Sequence, residues 1–283
     1  MRKGLPTILA AVISLALVAH YAPVLVWLGR AWLTLPVYSH GVLVVPLLVL
    51  LVWLARKRIA LARCGMAWGG LALVVVALAA RRWDLGADEP AVAAFGIPLA
   101  IIGAVWTLAG REIAKIIAVP VLILLLAVPL PPPVLASAGM RIEYGAATVG
   151  AALLEHVLTI PALREGVMIH LPRVSLEMGI QPAAMRTLMV FMTFAAFYAC
   201  LLAGPPWKRW LVFVAGIPIS MLGSGVRVSL DGLVGHILGP EAMRASHLYS
   251  GYIALIVAFF ALLVFARSIG CSDLQGRDSS SSP

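Results

Sequence analysis

The stretch Met221–Gly251, MLGSGVRVSLDGLVGHILGPEAMRASHLYSG, joins two apolar runs near the C-terminal end of the chain. The first run ends in Gly-Ser-Gly-Val-Arg at 223–227, a short polar segment follows, and His247 precedes the next run. Because consecutive membrane spans meet at one surface, Arg227 and His247 are expected at the same membrane boundary. Asp231 follows Arg227 by four residues, so the two can pair along one face if the helix continues.

An arginine at the end of one span and a histidine at the start of the next have two interpretations. A guanidinium can bind an anion and an imidazole can move a proton, which together make a functional site at a lipid boundary. Alternatively, the arginine anchors the span by extending its charged head to the interface, and the histidine is a bystander. The pattern alone leaves both open.

The composition predicts an integral membrane protein. Of the 283 residues, 62% are hydrophobic and 12% are charged, against roughly 25% charged in a soluble domain. The apolar runs are about 15 to 22 residues long, which favours helices over barrel strands. The net charge of +9 comes from Lys and Arg scattered at the ends of these runs, without the dense patch that nucleic-acid binding needs.

The apolar runs predict an all-α polytopic bundle of about eight transmembrane helices with both termini in the cytoplasm. Basic residues at 2–3 and 56–58 support this orientation, whereas Arg81 and Arg82 fall on the predicted outer side. Residues 1–267 are interpreted as one membrane domain and 268–283 as a disordered cytoplasmic tail. The predicted spans are 5–28, 41–54, 66–80, 91–109, 116–130, 183–203, 210–226 and 252–265.

Residues 131–181 interrupt the regular alternation of spans and are predicted to be extracytoplasmic. The part at 134–160 carries charged residues among small and apolar ones, as an interfacial helix does, although a poor membrane span is the alternative. The part at 166–177 alternates loosely around Leu171-Pro172, which predicts a short β-hairpin.

The predicted topology brings four basic side chains to a similar depth on the outer side. These are His40, Arg186, Arg227 and His247. An unpaired charge just inside a span is costly, so Arg186 needs a partner, and we expect Glu177 to be that partner. The three cysteines fall on the other side, and no spacing of Cys and His predicts a metal site or another cofactor.

Four short motifs, in this order along the chain, resemble those of the exosortase/archaeosortase family. The resemblance covers roughly residues 37–265. The motifs are Tyr-Ser-His-Gly at 38–41, LEMGIQPAAMRTL at 176–188, Gly-Ser-Gly-Val-Arg-Val at 223–228, and His247 ahead of Gly251.

The resemblance implies a polytopic enzyme of the prokaryotic cytoplasmic (inner) membrane. Such enzymes process exported proteins that end in a sorting signal, made of a short motif such as Pro-Glu-Pro, a hydrophobic helix and a basic tail. They are thought to act as cysteine transpeptidases. The implied partners are therefore that signal helix and the lipid bilayer, and the implied site lies on the extracytoplasmic face.

The family's catalytic arginine and histidine correspond to Arg227 and His247. Its nucleophilic cysteine corresponds to Pro182, in the tripeptide Pro-Ala-Ala at 182–184. Its usual asparagine corresponds to Ser224. Together with Ser224, we expect His40, Glu177 and Arg186 to contact the substrate.

Proline carries no nucleophile, so thiol chemistry at this position is excluded. Three explanations are open: a non-catalytic relative that binds signals or assists assembly in protein sorting or polysaccharide export, a different nucleophile, or an altered sequence. His247 could activate a hydroxyl or a water as a general base. The hydroxyl candidates near the outer surface are Ser175, Thr187, Ser224 and Ser246.

Overall fold

A computed structural model describes residues 4–83, 90–177 and 183–271. The chain divides into two compact units, Met1–Pro131 and Pro132–Pro283. The first unit contains α1 (Gly4–Thr34), α2 (Gly41–Leu54), α3 (Arg56–Leu61), α4 (Gly70–Trp83), α5 (Ala91–Ala109) and α6 (Arg111–Leu122), with 3-10 helices at Pro36–Tyr38 and Ile123–Ala127. The second contains α7 (Pro132–His156), β1 (Leu163–Glu165), β2 (Met168–His170), β3 (Ser175–Glu177), α8 (Ala183–Leu201), α9 (Pro206–Leu238) and α10 (Pro240–Ser268).

The prediction of an all-helical membrane protein is confirmed. Six helices in the described part of the chain are long and apolar enough to cross a membrane, or seven if one bent helix pair counts as a span. This is fewer than the eight spans predicted. The difference includes α4, which has 14 described residues and is about 21 Å long, shorter than the roughly 30 Å hydrocarbon core.

The first unit is held together by α1, α4 and α5. Small residues on α4 and α5, such as Ala77 and Ala94, pack against Tyr21 and Val24 of α1. The Tyr21 hydroxyl donates a hydrogen bond to the carbonyl oxygen of Ala77 at 2.7 Å. The polar end of this aromatic side chain is thereby satisfied within the apolar core, as a buried hydroxyl requires.

The predicted β-hairpin is present in the second unit and gains a third strand. Strands β1, β2 and β3 form an antiparallel sheet in that order, with Ile169 opposite Leu176. Ile169 and Leu176 face inward, where they belong to one apolar cluster with Leu154 of α7 and Val228 of α9. The sheet is therefore packed against the same part of α9 that carries Arg227.

Helices α9 and α10 extend beyond the predicted spans. They have 33 and 29 residues, so the expected polar link between the two apolar runs is helical on both sides of Gly239. Gly239 has a φ of +88°, a left-handed conformation that glycine adopts readily at the end of a helix. Pro240 follows at the start of α10, where its missing N–H costs nothing. Arg227 and His247 consequently both lie within helices.

The C-terminal end of α10 packs against α8 and α9. Cys271 is buried in the cluster that contains Phe191 and Leu262, and its thiol donates to the carbonyl oxygen of Ala203 at 3.1 Å. Residues 268–271 thus belong to the folded unit, although the sequence analysis assigned them to a disordered tail. Residues 272–283 lie outside the described part of the chain.

Candidate functional site

Four polar side chains of α9 and α10 form one hydrogen-bonded network. The Asp231 carboxylate accepts hydrogen bonds from Nδ1 of His247 at 2.8 Å and from the Ser250 hydroxyl at 2.6 Å. Nη2 of Arg227 is hydrogen-bonded to the other ring nitrogen, Nε2 of His247. Arg227 and Asp231 are 7% and 6% exposed, so the network begins inside the protein.

The partners of His247 determine which ring nitrogen carries the proton. An ionised carboxylate only accepts and a guanidinium only donates, so Nδ1–H points to Asp231 and the Nε2 lone pair accepts from Arg227. The imidazole is then neutral. Its Nε2 is the atom that can exchange a proton with a substrate once Arg227 moves aside.

Two glycines of the motif, four and two residues before Arg227, allow α9 to approach its neighbours. A Cβ at Gly223 would lie 3.2 Å from the carbonyl oxygen of Ala254 on α10, and a Cβ at Gly225 would lie 3.2 Å from the amide nitrogen of Gly150 on α7. Both distances are too short for comfortable packing. The motif therefore fixes where Arg227 sits between these two helices.

Glu143 of α7 is a buried acid that the sequence analysis did not select. Its carboxylate is 2% exposed and accepts a hydrogen bond from the Ala184 amide at 2.8 Å, at the start of α8. Electrostatic attraction links Arg227 to both Asp231 and Glu143, while Arg186 repels it. Three helices and the start of a fourth thus contribute charge or polar contacts to one site.

The pairing expected between Arg227 and Asp231 takes a different form. The helix does continue, and the charges attract each other. The carboxylate, however, directs its oxygens to His247 and Ser250, and Arg227 donates to His247. Asp231 holds the histidine because α10 brings a better-placed donor to it than the neighbouring turn of α9 does.

The other predicted substrate contacts include an exposed residue, a buried residue and a residue of the first unit. Arg186 is exposed near the start of α8, and Ser224 is 3% exposed. His40 belongs to the first unit, where its Nδ1 lies 3.2 Å from the carbonyl oxygen of Val37 and its Nε2 lies 3.0 Å from that of Leu126. Pro182 and the side chain of Glu177 lie outside the described part of the chain, so their roles stay predictions.

Two further candidate hydroxyls, those of Ser175 and Ser246, are hydrogen-bonded to neighbouring groups. Ser175 lies 3.0 Å from Nδ1 of His170 on the exposed face of the sheet, and Ser246 donates to the carbonyl oxygen of Met243 at 3.1 Å. Nε2 of His170 lies 3.6 Å from the exposed carboxylate of Glu165. This cross-strand row is solvent-exposed, and such polar pairs commonly stabilise a sheet.

Ser224 is a buried hydroxyl for which the described residues supply no hydrogen-bond partner. On the same helix, Ser220 and Ser229 each donate to a carbonyl oxygen three residues back, at 2.8 Å. Nε of Arg227, one turn further along, is also without a partner among the described residues. Two buried donors on one face of α9 therefore have no acceptor among the described residues.

We expect Ser224→Ala to stabilise the protein. Removing an unsatisfied buried hydroxyl recovers a desolvation cost of about 1–3 kcal/mol, which raises the thermal midpoint in detergent by roughly 2–4 °C per kcal/mol. Ser220→Ala is the matched control, and it should lower the midpoint because its hydroxyl is bonded. A fall for Ser224→Ala as large as that for the control would contradict this account of the hydroxyl.

The fold and site define a class of protein: a polytopic helical membrane protein with a buried Arg-His-Asp network on two long adjacent helices. The chain belongs to the transmembrane exosortase family, whose model, described as Transmembrane exosortase (Exosortase_EpsH), matches residues 32–264. That match includes every residue of the network. Neither a curated protein nor a solved structure matches the chain.

Proposed function

We propose that this protein recognises C-terminal sorting signals of exported proteins and processes them at the extracytoplasmic face of a prokaryotic cytoplasmic membrane. The observation that carries the proposal is the contact of Arg227 and Asp231 with the two ring nitrogens of His247. This is a guanidinium beside an imidazole of fixed tautomer, which is what acyl transfer at a peptide bond needs from its supporting groups.

The length of α9 supports placing this network at the membrane boundary. Arg227 comes 21 residues after Pro206, which is about 32 Å of helix and close to the roughly 30 Å thickness of the hydrocarbon core. If α9 enters the bilayer beside Lys208 and Arg209, Arg227 emerges at the opposite surface. Basic residues favour the cytoplasmic side, so that opposite surface is extracytoplasmic.

Three side chains of the network have roles in the proposed reaction. Asp231 holds His247, whose Nε2 takes the proton of the attacking group and returns it to the leaving amine. Arg227 leaves Nε2 and donates to the oxygen of the scissile carbonyl as negative charge develops on it. Because no thiol is present at the family's cysteine position, the attacking group is a hydroxyl or a water, whose oxygen adds to the carbonyl carbon. The C–N bond then breaks with its electrons on the nitrogen, which takes the proton held by His247, and the acyl group is left as an ester or as a carboxylic acid. The hydrophobic helix of the signal packs between spans, and its basic tail stays on the cytoplasmic side.

A second candidate is a catalytically inactive subunit that binds signals or assists their assembly. Pro182 at the family's cysteine position favours it, because no thiol is available there. The amide of Ala184 also points to Glu143, so it is not free for a substrate oxygen. Both candidates share the binding of a signal and differ in cleavage.

Signal binding is tested by co-purification of the full-length protein with a reporter that carries a Pro-Glu-Pro motif, a hydrophobic helix and a basic tail. We expect Arg227→Ala to reduce the retained reporter about tenfold or more, because a buried charge and its donors are lost. Arg227→Lys keeps the charge and is less prone to misfold, and it should reduce the retained reporter by a smaller factor.

Arg244→Ala is the matched control, since Arg244 is exposed on α10 and pairs only with Glu241 among the described residues. Equal reporter retention by the Arg227 and Arg244 variants, with both proteins folded, would reject Arg227 as a binding residue. Failure of the unmodified protein either to retain the reporter or to shorten it would reject the proposed function.

A further inference from the structure

We propose that Glu143 is a positioning residue: its carboxylate holds the first turn of α8 in place and balances the charge of Arg227. The contact is read from the structure and does not depend on the proposed function. Its consequence for signal processing does rest on that function.

The hydrogen bond between Glu143 and α8 provides an acceptor for a backbone N–H group at the start of that helix. The first four N–H groups of an α-helix have no partner within it. α8 begins at Ala183, and Glu143 of α7 accepts the hydrogen bond of the Ala184 amide at 2.8 Å and also hydrogen-bonds to the Met185 backbone. A negative charge at this end of a helix is further stabilised by the helix dipole. A side chain from a distant element thus caps α8.

Glu143 is buried, so its carboxylate must be compensated within the protein. An uncompensated carboxylate in the protein interior costs several kcal/mol, so a buried acid needs donors or a counter-charge. Glu143 has both: the amides at the start of α8, and the attraction of Arg227. Glu155, twelve residues along the same helix, is exposed and has no such constraint. Glu143 therefore links α7 to α8 by a hydrogen bond and attracts Arg227 of α9 through its charge.

The contact lies next to the position of the family's nucleophile. Ala184 is the last residue of the Pro-Ala-Ala tripeptide, whose first position corresponds to the family's cysteine, so Glu143 holds residues that directly follow the nucleophile position of related enzymes. Backbone amides at the start of a helix often stabilise an oxyanion. Here the Ala184 amide is already bonded, which leaves this task to Arg227. Because its oxygen is used in this way, Glu143 acts as a holder and not as a free base.

Hydrogen–deuterium exchange of the full-length protein in detergent tests the contact directly. In Glu143→Ala, amide exchange in peptides covering residues 183–188 should accelerate about 10- to 100-fold, because an amide loses its acceptor. Glu143→Gln keeps one acceptor oxygen and should restore most of the protection. Glu155→Gln is the matched control on the same helix and should change nothing. Unchanged exchange in Glu143→Ala would overturn the proposal.

The effect of Glu143 on Arg227 must be tested by a measurement that a simple loss of stability would not change. We expect Glu143→Gln to shift the ¹⁵N resonance of His247 Nε2, which accepts from Arg227, and to leave that of Nδ1, which is held by Asp231. Glu155→Gln should shift neither. An Nε2 resonance unmoved by Glu143→Gln would remove Arg227 from the proposal. Neither measurement uses the reporter, so a failure of signal binding and a failure of this inference are told apart.

Discussion

Replacing Pro182 with cysteine is expected to produce a chain that cleaves a co-expressed reporter bearing the sorting signal. The substitution restores a thiol at the family's nucleophile position, while the supporting Arg227, Asp231 and His247 network is already assembled. Supporting groups without a nucleophile supply little rate, so we expect cleavage to rise by roughly 10³-fold or more over the unmodified chain. Immunoblotting of the shortened reporter measures the gain.

The same experiment contains its controls. His247→Ala in the Pro182→Cys chain should remove the gain, because the thiol loses its base. Ala183→Cys moves the thiol by one residue along the chain and should not cleave. A reporter that is bound but never cleaved by Pro182→Cys would support the inactive subunit. Cleavage by the unmodified chain that needs His247 would instead show that another nucleophile or water is used.

Asp231→Asn in the Pro182→Cys chain should lower cleavage by about 10²- to 10⁴-fold, the range expected when a histidine loses the carboxylate that orients it. An amide can present its NH₂ group to Nδ1, which drives the ring proton to Nε2. That Nε2–H would then face a donor, Nη2 of Arg227, and could no longer accept a proton. Initial cleavage rates at saturating reporter expression measure the loss.

Ser250→Ala is the comparison for this prediction, because it removes the other donor to the same carboxylate. A single hydrogen bond contributes about 0.5–1.5 kcal/mol, so we expect a loss of no more than roughly tenfold. If Asp231→Asn cost no more than Ser250→Ala, the carboxylate would be a structural partner and not the group that orients His247.

The sequence predicted the helical membrane fold because hydropathy reports apolar length directly. It predicted the extent of α9 and α10 poorly, since a run of residues such as Ser229, Asp231 and His236 reads as a solvated link. In the structure, Asp231 and Ser229 are buried, with their polar atoms bonded inside the protein. Polarity in sequence therefore did not mean exposure to water.

The site was predictable only where its residues are close in sequence or match family motifs. Arg227 and His247 were expected to meet, and they do. Glu143 was missed because its partner, Ala184, is 41 residues away and contributes only a backbone amide, which no side-chain pattern can signal. Ser250 was missed because a serine near a membrane surface is usually structural, and its bond to Asp231 depends on how α9 and α10 pack.

The length of α9 has a consequence for which substrates fit. Its 33 residues extend about 50 Å, so on the proposed orientation the helix spans the bilayer and projects about 20 Å beyond it, with Arg227 near the lipid surface. A signal anchored by its own hydrophobic helix cannot slide freely along the membrane normal. The number of residues between its motif and that helix then sets whether the scissile bond reaches Arg227. Selectivity would thus include a spacing rule, by which a correct motif is rejected when it lies too far from its anchor.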